Sequence, residues 1–142
     1  MNLQFTYQEI AEYVQRKFGR EVALSCTDGA SLQIGTTIKV KLPLVNREVA
    51  KDLSIKVFDF QAFGDDITFR YDAGAGMNFI ATNFFKLLSG TLIQQGMIEF
   101  QNDACAIVHL AAIDQMKNVL QVVNIKQINV LEDSLVIACS LK

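Results

Sequence analysis

The chain has 142 residues, 51% of them apolar and 20% charged, with a net charge of −2. That length predicts one domain, residues 1–142, with a core large enough to fold without disulfides or metal. No block of like charge supplies the basic stripe that nucleic acid requires, and no apolar run is unbroken enough to cross a membrane.

The opening residues Met1-Asn2-Leu3-Gln4-Phe5-Thr6 show no secretory signal, so a cytoplasmic location is expected. Thr6 and Glu9 stand at the spacing of a capping box, with Phe5 and Ile10 placed for a hydrophobic staple. Ile10, Ala11, Val14 and Phe18 then form one apolar face. Gly19 is placed to end this helix in the left-handed conformation, with Arg16 and Lys17 near the negative end of its dipole.

Val22, Leu24 and Cys26 alternate into a short strand, and Asp28-Gly29 turns it into a long one. From Ser31 to Leu44 every second residue is apolar or Thr36: Leu32, Ile34, Ile38, Val40, Leu42 and Leu44. At ~3.3 Å per residue the run would reach roughly 45 Å. A compact chain of this size is only about 37 Å across, so the strand is expected to curve. A return strand follows through Leu53, Ile55 and Val57, after which the apolar register jumps to Phe58 and Phe60. Such a phase change predicts a β-bulge. Gly64-Asp65-Asp66 then turns the chain into Ile67, Phe69 and Tyr71, completing a four-stranded antiparallel meander.

After Gly74-Ala75-Gly76, the stretch Met77–Gln95 predicts a long helix, apolar except for a stripe of Asn78, Thr82, Lys86 and Ser89. Gly96 closes it. Strands at Met97–Phe100 and Ala104–Leu110, a short helix around Ile113–Leu120 and a hairpin pairing Ile125–Leu131 with Leu135–Leu141 complete the layout. The fold class expected is α+β: a curved antiparallel sheet of long strands packed on a long apolar helix, with an N-terminal amphipathic helix.

His109 is the only histidine, flanked by Val108 and Leu110 with no acid or nucleophile beside it, and is expected at a strand edge or in the core. Cys26, Cys105 and Cys139 share no metal-ligand spacing and are expected to be reduced and structural. Gly74-Ala75-Gly76-Met77-Asn78-Phe79 lacks the third glycine of a dinucleotide loop and follows an antiparallel strand, so it reads as a turn. Asp65-Asp66 and Glu132-Asp133 read as turn residues rather than metal ligands. No catalytic constellation, metal site or cofactor is expected.

The order of elements from Ser31 to Lys142 resembles the tubular lipid-binding (BPI-like) proteins. The likeness rests on Val40-Lys41-Leu42-Pro43-Leu44, the apolar helix, Cys105-Ala106-Ile107-Val108-His109-Leu110, Ile113-Asp114, and the closing Ile125-Lys126-Gln127-Ile128 and Leu135-Val136-Ile137. It implies a sheet wrapped on a long helix with lipid held between them. The function expected is therefore non-catalytic binding of a hydrophobic, lipid-like small molecule. Ile38, Val40, Leu42, Phe58, Phe60, Ile80, Phe84, Phe85 and Leu88 are the candidate lining residues. The alternative is an interaction module that buries the same apolar surface in a homodimer.

Overall fold

A computed structural model describes the chain except residues 27, 43–46, 75–76, 89–95, 97, 102–103 and 113. It also leaves out the side chains of Val40, Lys41, Leu42, Val49, Phe79, Asn83, Lys86, Leu87, Leu88, Asp114 and Gln115. Parts of several expected features lie outside the described residues: the far end of the long strand, the middle of the Gly74–Gly76 turn, helix residues 89–95, Met97 and Ile113.

The elements run β1 (Asn2–Thr6), α1 (Tyr7–Phe18), β2 (Ala23–Ser25), β3 (Leu32–Leu42), β4 (Arg47–Phe63), β5 (Asp66–Asp72), α2 (Asn78–Leu88), β6 (Ile98–Gln101), β7 (Cys105–His109), a 3₁₀ turn (Leu110–Ala112), α3 (Asp114–Leu120), β8 (Val123–Val130) and β9 (Ser134–Leu141). Among the described residues the architecture is mostly β, and this corrects the α+β expectation. Two antiparallel sheets form, one ordered β1-β9-β8 and the other β2-β3-β4-β5-β7-β6. No long apolar helix is described. Helix α2 has 11 residues, about 16 Å, too short to serve as the axis of a wrapped sheet.

Helix α1 forms for the local reasons visible in the sequence. Glu9 N–H donates to Thr6 Oγ1 at 3.1 Å, and Thr6 N–H donates to Glu9 Oε1 at 3.2 Å, which closes the capping box. Gly19 caps the far end at φ 67°, its N–H returning to the Gln15 carbonyl at 2.9 Å. The residues just before this helix, where a staple was expected, belong to a strand. They form β1, which pairs with β9 across nearly the whole chain, Leu3 opposite Ile137 and Phe5 opposite Leu135.

The meander is present, with β3 and β4 in register from Leu32 opposite Val57 to Leu42 opposite Arg47. The bulge falls between Phe58 and Gln61, with Asp59 at φ 57°. Its effect differs from the expected one. Phe58 stays on the face of its partner Arg70, while Phe60 turns inward beside Phe69. One core gathers Leu53, Ile55, Val57, Tyr71, Ala81 and Phe84 between the larger sheet and the helices. A second gathers Leu120, Val123, Ile125, Ile128, Ile137 and Cys139. Phe60 and Leu135 pack against both, so the two cores touch.

Candidate functional site

Helix α1 reaches from the smaller sheet to the edge of the larger one. At its start Tyr7 N–H donates to the Asp133 carbonyl, and the Tyr7 hydroxyl donates to the Leu131 carbonyl. Burial, with Cys26 and Asp133 nearby, pushes the Tyr7 phenol up to about 12, so it stays a neutral donor. At the helix end Gly19 reverses the chain, and residues 20–22 lead into β2.

Strand β2 is short. Among the described residues it pairs only Ala23 with Gly35, Leu24 with Ile34 and Ser25 with Gln33. At the next rung the Thr36 hydroxyl donates to the Glu21 carbonyl at 2.8 Å, so a side chain replaces the backbone ladder. Strand β3 nevertheless continues to Leu42, paired on its other side with β4. From Thr36 to Leu42 the β2-facing edge of β3 therefore has no strand partner among the described residues. An unpaired edge offers backbone donors and acceptors to another chain.

Beside this edge lies an open groove of about 900 Å³. One wall is a helical stripe of α1, namely Gln8, Ala11, Glu12 and Gln15. The other side is the middle of the β3–β4 hairpin, with Gly35, Thr36 and Thr37 facing Asp52, Leu53 and Ser54. Residues 20–23 close one end. Thr37 Oγ1 donates to Asp52 Oδ1 at 3.0 Å, and Gln8 Nε2 donates to Glu12 Oε1 at 3.3 Å. Glu12, Glu21 and Asp52 set three carboxylates around the groove against one guanidinium, Arg20. Among the described residues none of the three is ion-paired. The groove therefore carries a ring of acceptors and a negative balance over a lining to which Ala11, Val22, Ala23 and Leu53 also contribute.

The expected lining residues fall elsewhere. Phe84 is 2% exposed, and Phe85 sits within ring contact of Phe69, Tyr71, Phe84 and Phe100. Ile80, Phe60 and Ile38 pack around the same core. These five come together, in contact with protein side chains. Phe58 does not join them: its ring lies on the opposite face, 5.5 Å from Lys56 Nζ and 5.8 Å from Arg70 Cζ. Val40 and Leu42 stand opposite Val49 and Arg47 in the ladder, and Leu88 ends α2. The expected wet stripe of α2 is also reassigned. Thr82 donates to the Asn78 carbonyl at 3.0 Å, so it accepts from buried Tyr71 OH at 2.7 Å, and Asn78 Oδ1 accepts from Ala73 N–H at 2.7 Å.

A second polar constellation lies on the outer face at the far side of the larger sheet. His109 Nδ1 is 2.9 Å from Asp66 Oδ1, and Nε2 is 3.3 Å from Glu99 Oε2. The expected lone histidine thus has two acids, brought to it by β5 and β6. Asp66 lies in β5, and only Asp65 stays in the turn. At the β2–β3 connection, Asp28 Oδ1 accepts the N–H groups of Ala30 and Ser31, chiefly through which its carboxyl falls to about 2. All three cysteines are free, with Cys139 buried and Cys26 and Cys105 half-buried. Among the described residues no group of three His, Cys, Asp or Glu is arranged to hold a metal ion.

Comparison of the chain with protein-family models, with curated proteins and with solved structures found no match.

Proposed function

We propose that this is a non-catalytic interaction module that binds an extended, basic polypeptide segment of another protein in the groove between α1 and the β3–β4 hairpin. The observation that carries this reading is the β3 edge from Thr36 to Leu42, without a strand partner among the described residues, whose first residues Thr36 and Thr37 line that groove. Only an extended backbone satisfies a row of alternating strand donors and acceptors, so strand addition is the binding mode. The three carboxylates, none ion-paired among the described residues, select Lys or Arg side chains from such a segment.

Panning a displayed random-peptide library on the immobilised protein tests this. The expected result is enrichment of peptides rich in Lys and Arg, with binding lost on Glu12→Lys and Asp52→Lys. Enrichment of no peptide, or equal retention by both variants, would overturn the reading. So would self-association that buries the same edge, seen as a concentration-dependent mass in sedimentation.

A further inference from the structure

We propose that Asp66, His109 and Glu99 form a pH-sensitive latch that holds edge strand β6 on the larger sheet while His109 carries a proton. The three residues come from three neighbouring strands, β5, β7 and β6. Among the described residues strand β6 is the outermost, four residues long, and pairs only with β7, from Ile98 opposite Val108 to Gln101 opposite Cys105. With so short a ladder, a side-chain tie that reaches across β7 to β5 is a sizeable part of what keeps β6 in place.

The proton count makes the tie conditional. A neutral imidazole has one N–H and one lone pair, so it donates to one carboxylate and turns a lone pair toward the other. Both ring nitrogens here face carboxylate oxygens, at 2.9 Å and 3.3 Å. Only the imidazolium satisfies both. The charged groups facing it are Asp66 from β5 and Glu99 from β6. On β7 itself the other titratable group, Cys105, lies at the far end, opposite Arg70 of β5 and Gln101 of β6. The 3₁₀ turn meets this corner through its backbone, with Leu110 N–H donating to the Asp65 carbonyl. The hydrogen bond that Asp66 accepts leads in raising His109 from the ordinary histidine value, against burial and with help from Glu99. The side chain is 32% exposed, so bulk protons reach it directly.

Deprotonation releases the Glu99 arm first, since the shorter bond to Asp66 keeps the remaining N–H. Loosening β6 would draw Phe100 away from Phe85 and uncover the edge of β7 for another strand. The latch is thus a control on a second sheet edge, independent of the α1 groove.

Ring-proton NMR of His109 combined with amide exchange tests it. Protection at Glu99 and Gln101, the β6 residues whose amides face β7, corrected for intrinsic exchange, should fall by up to about fivefold as pH rises through the His109 midpoint, the ceiling for one exposed ion pair. In Glu99→Gln the midpoint should drop and the β6 step should vanish. His109→Gln should hold β6 at the low-protection level at every pH. Protection of β6 that ignores the state of His109, or a Glu99→Gln protein titrating like the wild type, would overturn the proposal.

Discussion

Helix α2 places Ala81 and Phe84 in the core at 0% and 2% exposure and adds Phe85 to a ring cluster with Phe69, Tyr71 and Phe100. Helix α1 is one residue longer, yet only Tyr7 is buried, and its Gln8, Ala11, Glu12 and Gln15 stripe borders an open groove. The difference lies in what each amphipathic pattern has to cover. A mostly apolar helix is consumed by packing, whereas a helix with one apolar and one polar face leaves the polar face for a partner. Strong hydrophobicity in this chain therefore marks the scaffold, and the candidate site mixes amides, hydroxyls and carboxylates with Ala11, Val22, Ala23 and Leu53.

The largest expected effect comes from breaking the scaffold helix. Phe84→Ala should cost about 3–5 kcal/mol in chemical denaturation, because its neighbours would face a cavity. A loss below about 1 kcal/mol would mean that Phe84 lacks the packing assigned to it. On α1 the structural share is smaller. Thr6→Ala removes one cap contact and should cost about 1 kcal/mol by the same measurement. An unshifted midpoint would show that the cap is not holding the helix start. Smallest of all, Glu12→Gln and Asp52→Asn should change stability by no more than about 0.5 kcal/mol while weakening binding of basic peptides. A large stability loss at either position would make the groove wall part of the scaffold and erase the contrast between the helices.

The pH profile offers a further contrast, between the two ends of the larger sheet. The pKa of His109 is raised in the folded state, so its contribution is complete below the unfolded value of about 6.5 and is lost as pH rises through the folded one. The pKa of Asp28 is lowered to about 2, so its contribution holds above the unfolded value of about 3.9 and is lost as pH falls toward the folded one. Thermal melts should show weakening as pH rises from about 6.5 that His109→Gln abolishes and acid weakening that Asp28→Asn reduces.

What the sequence made legible follows from the range of the interactions. The capping box, the Gly19 cap and the alternation of β3 are local, and each is present in the structure. The β4 bulge was legible as a phase change, but the face taken by Phe58 depends on the register with β5. Strand β1 was hidden because its partner β9 lies at the other end of the chain, while Phe5 also fitted a staple. The second helix is described over Asn78–Leu88, short of the expected long axis, because an apolar run by itself does not mark where a helix stops. For His109, the acids lie 43 and 10 residues away in sequence, and only the strand order β5-β7-β6 brings them together. The groove had one signal, the polar face of α1, which reads as ordinary solvated surface until the short reach of β2 is known.

The central claim, that the open β3 edge and α1 take an extended basic segment, is tested most directly by amide exchange with an enriched Lys/Arg peptide bound. The account predicts new protection at alternate amides between Thr36 and Leu42, together with shifts at Gln8, Ala11, Glu12 and Gln15. Protection confined to β6 or β8, or binding with no change along β3, would contradict it.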